Sequence, residues 1–222
     1  MTIADNWRAI EARVAAACER AGRARGEVTV VAVSKHHPAG AIREALAVGA
    51  TDLGENYAQE LAAKQAELAV AARWHFIGRL QRNKARLVAG KVACVHAVDS
   101  VELAEELGRR GAGQSILLPV NLGAEASKGG VTAEAAPVIG RALAGVTGVS
   151  FDGLMTMPPP STAAEASRPF FEDLRALRDR LQDELGRPLP ILSMGMSDDF
   201  ELAIACGATH VRIGTAIFGR RA

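Results

Sequence analysis

The sequence predicts a (β/α)8 barrel, and three observations predict it. Eight short apolar segments have strand character, helical periods separate them, and one βα junction is written twice. The strand segments fall at 28–34, 51–56, 74–79, 94–100, 115–123, 151–158, 190–197 and 209–219. Between them PAGAIREALAVG, AQELAAKQAELAVAA, VELAEELGRRG and PFFEDLRALRDRLQDELG repeat apolar residues at three and four positions. The duplicated junction is AVGATDLGEN at 47–56 against ACGATHVRIG at 205–214: a helix stops on Gly and a strand starts after Ala-Thr. An open doubly wound sheet is the alternative, but no GxGxxG follows the first strand.

The elements are justified in turn by their ends. An extra helix over about 3–25 precedes the barrel, apolar at helical spacing. Pro38 is expected to open the helix after the first strand, where its missing N–H costs nothing. Ser100 and Asp198 read as helix N-caps, and Gly49, Gly108 and Gly207 as helix ends. The run RLQRNKAR at 79–86 reads as the solvated start of the third helix, and SKGG at 127–130 as a loop whose Lys128 could face the barrel mouth. MPPPSTAAEAS at 157–167 reads as a long βα loop rather than a linker, so residues 1–222 are expected to form one domain.

Composition removes several function classes. Twenty-six basic against twenty-five acidic residues leave a net charge of +1, which speaks against bulk attraction to nucleic acid or an anionic membrane. No apolar run approaches the roughly 18 residues of a membrane span. The first segment carries acidic residues and no apolar block, unlike a signal peptide. Cys18, Cys94 and Cys206 form no CxxC pair and fit reduced thiols, so a cytoplasmic location is expected.

A parallel barrel places its chemistry at the C-terminal ends of its strands. There stand Lys35, Asn56, Asn121, Ser193, Ser197, Arg212 and Thr215. Lys35 ends the apolar run VVAVS, a position where an amine can be kept uncharged and nucleophilic toward aldehydes; a lysine snorkelling to solvent is the plainer alternative. His36 and His37 point to opposite sides of an extended chain, and His75, His96 and His210 show no HxH or HExxH spacing; no metal site is expected. SMGMSDD at 193–199 and RIGT at 212–215 fall after strands seven and eight, where barrels often hold phosphate on backbone amides. An amine facing a phosphate cradle suits a phosphorylated aldehyde such as pyridoxal 5′-phosphate, or the carbonyl substrate of a class I aldolase.

Six ordered motifs narrow the choice: AVSK at 32–35, GENYAQE at 54–60, WHFIGRLQRNK at 74–84, GLMTM at 153–157, LSMGMSDD at 192–199 and VRIGTAIFG at 211–219. Through them the chain resembles the pyridoxal phosphate homeostasis protein family over nearly its whole length. The resemblance implies a barrel like the N-terminal domain of alanine racemase. It implies that Lys35 binds pyridoxal 5′-phosphate as a Schiff base and that Asn56 lies near the ring. It further implies that Arg212 faces the pyridine nitrogen and that Ser193, Ser197, Gly214 and Thr215 hold the phosphate. Arg79, and Gly123–Ala124 in the 120–130 loop, depart from the family pattern.

The resemblance also implies cofactor storage, buffering or delivery to pyridoxal-phosphate-dependent apo-enzymes, without established catalysis. An arginine cannot accept the pyridinium proton, so the ring would stabilise a carbanion poorly. Tyr57 is the only tyrosine in the sequence, and no second domain is expected after the barrel to supply another. A monomer without catalytic residues is therefore expected, with a weak racemase-like enzyme as the alternative.

Overall fold

The computed structural model describes residues 2–69, 72–123, 129–159 and 163–219. Eight parallel strands close into a barrel in sequence order: β1 (Thr29–Val33), β2 (Asp52–Glu55), β3 (Arg73–Phe76), β4 (Cys94–Val95), β5 (Gln114–Pro119), β6 (Val149–Met155), β7 (Ile191–Ser193) and β8 (His210–Ile213). Helices α2 (Ala39–Ala47), α3 (Ala58–Leu68), α4 (Val101–Arg110), α5 (Ala136–Ala144), α6 (Arg168–Leu185), α7 (Phe200–Ala205) and α8 (Thr215–Phe218) follow strands β1, β2, β4, β5, β6, β7 and β8. The expected barrel and its extra N-terminal helix, α1 (Ile3–Arg20), are both present.

Closure matters most for function. β1 pairs with β8 in the register Ala32↔Ile213, so the residues after each strand meet although they lie at opposite ends of the chain. α1 braces this seam from outside. Its buried face is Trp7, Ile10, Val14, Ala17 and Cys18, and Asn6 Nδ2 donates to the Ile217 carbonyl at 2.9 Å. Arg23, just past α1, donates to the carbonyls of Ile204 and Ala208 at 3.0 and 2.7 Å and so satisfies the end of α7.

The duplicated junction is one physical motif used twice. Gly49 and Gly207 take φ of 99° and 102°, a region glycine enters without a Cβ penalty. The N–H groups of Ala50 and Ala208 then reach back to Ala45 and Ala203 at 3.1 and 2.8 Å, closing the same helix terminus. Both alanines are fully buried, which seats β2 and β8.

Several expected boundaries move. α1 stops at Arg20, and a short 3₁₀ turn at Arg25–Glu27 leads into β1. The fourth strand is only Cys94–Val95, because Ser100 is already the cap of α4, accepting from the Leu103 N–H at 3.3 Å. Arg82–Leu87 forms a 3₁₀ helix rather than the first turn of an α-helix. Pro38 is the N-cap of α2, not its first helical residue. Asp199, not Asp198, is the residue before α7, and its carboxylate accepts from the Met196 N–H at 2.7 Å. Gly108 lies inside α4, where a Cβ would come within 2.3 Å of the Thr147 carbonyl, so packing rather than helix termination explains it. Lys128 and Ala124 lie outside the described residues.

Candidate functional site

At the C-terminal ends of the strands opens a cavity of about 770 Å³. Lys35, two residues past β1, lines it together with Asn56, Ser197, Arg212, Gly214 and Thr215. Six of the seven expected binding residues thus converge on one space. The seventh, Ser193, does not line it. Its side chain is fully buried, and its hydroxyl accepts from Arg212 Nη1 at 2.6 Å and meets His96 Nδ1 at 2.8 Å. Buried behind Arg212, it contacts the guanidinium, whereas the family resemblance implies a place in the phosphate cradle.

Strand alternation explains who faces inward. Side chains two apart share a face, so Val31, Val33 and Lys35 form one row and Asp52, Gly54 and Asn56 another. Asn56 Oδ1 is buried on the cavity and meets no hydrogen-bond partner, an acceptor left for a ligand. Gly78 supports it from β3's end: a Cβ there would stand 2.1 Å from the Asn56 carbonyl oxygen. Arg212 is 4% exposed, with Nη2 donating to the Thr156 carbonyl at 2.9 Å. Burial lowers its pKa to about 10, which still leaves it charged at neutral pH.

A compact ion cluster backs the lysine turn. Lys64 Nζ donates to Glu55 Oε1 at 2.6 Å, Glu60 Oε1 at 2.7 Å and the Ser34 carbonyl at 2.7 Å. Glu60 also accepts the His36 N–H at 2.5 Å, fixing His36 at φ 65°, where a non-glycine residue is strained. Burial drives the Glu55 carboxyl up, and hydrogen bonds from Lys64 and Ser34 offset this only in part. For Glu60 burial also pushes upward, but Lys64 and the His36 amide outweigh it and the pKa falls. The histidines of the turn are structural: His36 packs on Tyr57 and His37 stacks on Phe218 with ring centroids 5.2 and 5.0 Å apart.

Sequence reasoning missed Glu55, Glu60, Lys64 and the barrel-interior histidines, as well as Arg13 and Asp99 at the cavity wall. Lys64 had a signal: it sits on the buried stripe of α3 with Ala58, Leu61 and Leu68, an odd place for an unpaired cation. Tyr57 is half exposed and does not line the cavity.

A barrel with a lysine beyond its first strand and a buried arginine on its last belongs to the class that places ligand chemistry at the strand C-termini. Residues 5–222 match the family described as alanine racemase, N-terminal domain. The chain is 46% identical to the pyridoxal phosphate homeostasis protein of Pseudomonas aeruginosa, over 99% of this chain and 96% of that protein. It superposes with a TM-score of 0.86 on PipY of Synechococcus elongatus PCC7942 solved with pyridoxal phosphate bound, at 36% identity, covering 98% of this chain and 100% of that one. Alanine racemase of Corynebacterium glutamicum shares the fold at a TM-score of 0.70 and 18% identity; the match covers 97% of this chain and 59% of the racemase. The chain belongs to the pyridoxal phosphate homeostasis protein family.

Proposed function

We propose that the protein binds pyridoxal 5′-phosphate as a Schiff base on Lys35 and serves cytoplasmic vitamin B6 homeostasis by storing, buffering or delivering it. The observation that carries this reading is the convergence of Lys35, Arg212 and the Gly214–Thr215 turn on one cavity. The cavity also fits the cofactor chemically. An amine can take the aldehyde, the Asn56 amide offers an unpaired oxygen, and Ser197 with Thr215 offers hydroxyls beside backbone turns for the phosphate. The relatives' names and the ligand in PipY support the same assignment.

The role is carriage rather than catalysis. When bound, the cofactor supplies an electron-withdrawing ring whose power depends on a protonated pyridine nitrogen. Arg212 can donate there but cannot accept that proton. Its guanidinium is also held by Ser193 and Thr156, so it is fixed in aim. No tyrosine or histidine lines the cavity among the described residues, which leaves Asp99 and Asp198 as the carboxylates at its wall. No described helix is long and apolar enough to cross a membrane. The protein works as a single-domain monomer whose partners are the cofactor and pyridoxal-phosphate-dependent apo-enzymes.

A transfer assay tests this. The yellow protein, freed of loose cofactor, is mixed with a pyridoxal-phosphate-dependent apo-enzyme, and recovery of that enzyme's activity is followed. Recovery faster than from an equal amount of free cofactor trapped by a scavenger supports delivery. A protein that stays colourless after incubation with the cofactor contradicts the binding reading, and turnover of alanine at ordinary enzymatic rates contradicts the non-catalytic one.

A further inference from the structure

We propose that Asp52, His75, His96 and Ser193 form a one-way hydrogen-bond relay through the barrel that positions Arg212 from the opposite end of the fold. Each link is short. Arg212 Nη1 stands 2.6 Å from Ser193 Oγ, which stands 2.8 Å from His96 Nδ1. His96 Nε2 meets His75 Nδ1 at 2.9 Å, and His75 Nε2 meets Asp52 Oδ1 at 2.9 Å. All five residues are buried.

The ends dictate the direction. A guanidinium has only donors, so Ser193 must accept from Arg212, and its own proton then points to His96 Nδ1. His96 therefore carries its proton on Nε2 and gives it to His75 Nδ1. His75 in turn carries its proton on Nε2 and gives it to Asp52, whose carboxylate only accepts. Every group is satisfied in this one arrangement, with both imidazoles neutral. A proton added to either ring sets two donors facing each other or leaves the Ser193 hydroxyl proton without its acceptor, which is expensive at full burial.

The surroundings favour the same state. Arg73 Nε lies 3.5 Å from Asp52 Oδ1, and Thr51 donates to Asp52 Oδ2 at 2.8 Å, so the acceptor end stays anionic. The His210 ring stands 5.8 Å from His75 and 6.0 Å from His96, so two imidazolium ions would repel there. Near the other end Asp199, itself bonded to Ser167 and the Met196 amide, gives Arg212 a carboxylate in its field. Asp52 also lines a separate cavity of about 460 Å³ with Trp7, Arg25 and Thr29, at the N-terminal ends of the strands. The relay thus joins the two mouths of the barrel.

These are positioning residues: none but Arg212 lines the upper cavity, and their effect on a ligand passes through the aim of its guanidinium. That functional half rests on the cofactor reading above. The test begins without cofactor, by ¹⁵N NMR of the histidine rings in the intact protein at neutral pH. Both His75 and His96 are expected as neutral rings protonated at Nε2. An Nδ1-protonated or doubly protonated ring at either position overturns the relay. The protein is then loaded with pyridoxal phosphate, and Asp52→Asn and His96→Phe are compared with wild type. The Asp52 variant keeps the side chain's shape should the other fail to fold. Weaker binding by about tenfold and a shifted visible band, with an altered pH profile of that band, are expected. Binding and spectrum identical to wild type in folded His96→Phe overturn the proposal, and the ring protonation of the wild type judges it should that variant fail to fold. A wild type that forms no visible band defeats the cofactor reading instead, while the ring protonation still judges the relay.

Discussion

Between the barrel and α3, Lys64 meets Glu55 and Glu60 directly at 2.6 and 2.7 Å; inside the barrel, Arg212 reaches the Asp52 carboxylate only through Ser193, His96 and His75. Both arrangements bury a cation beside the same cavity. The first is compact and holds a backbone turn, because its carboxylate oxygens grip the His36 amide and its ammonium the Ser34 carbonyl. The second is extended and holds a side chain. A cluster can freeze a strained turn, whereas a chain of neutral rings can fix an orientation without placing an anion next to the ligand.

The largest expected break in this contrast is Lys64→Met. It leaves Glu55 and Glu60 without their cation, and removing one partner of a buried ion pair costs about 3–5 kcal/mol. Urea unfolding should register that loss, and the visible band of the loaded protein should weaken with it, since the lysine turn loses its support. The matching change on the other side, Asp52→Asn, should affect binding more than folding.

Acid should separate the two clusters next. Burial is the first cause that lowers His96 far below its ordinary value and His210 to about 3. For such bases the unfolded chain takes up protons first as pH falls below about 6.5, so stability drops across that range. Between pH 6 and pH 5 the loss is about 1 kcal/mol for His210, and His96 adds to it in the same direction. Glu60 has the opposite timing: its pKa is lowered, so its contribution persists down to about pH 4.5 and is lost only as pH falls through the folded value. Denaturation midpoints at pH 7, 6 and 5 should fall steadily, and His210→Gln should remove its share of the slope.

A subtler intrusion is Gly78→Ala, whose Cβ would stand 2.1 Å from the Asn56 carbonyl oxygen. Overpacking of this kind costs about 1–3 kcal/mol, and cofactor affinity should fall with it because Asn56 must shift. Tyr57→Phe should do least. The ring lies outside the cavity and half exposed, so stability should move by less than about 0.5 kcal/mol, and cofactor binding should not change.

Much of this was legible in the residues. The strand segments and the paired Gly-Ala-Thr junctions announced the barrel, and barrel geometry placed Lys35, Asn56, Arg212 and Thr215 at one mouth. What escaped were polar residues whose partners come from other strands. His75, His96 and Ser193 each sit in a short apolar strand segment and look like isolated core substitutions. Alternation puts them in the barrel interior, but only the closed register reveals that they touch. Ser193 shows the cost: a serine beside a phosphate-like loop reads as a ligand, while one residue's difference in facing makes it a support for Arg212. Lys64 escaped for a related reason: its i, i+4 spacing to Glu60 reads as an ordinary helical ion pair, and only the buried Glu55 from β2 makes it a structural ion cluster.

The central claim is that Lys35 is the amine that takes the aldehyde, and it can be tested at a single atom. The loaded protein is reduced with borohydride, digested and mapped by mass spectrometry. The account predicts that the reduced pyridoxyl group sits on Lys35, and that Lys35→Ala protein is colourless and carries no label there. Label confined to another lysine, or a wild-type protein with none, would contradict it.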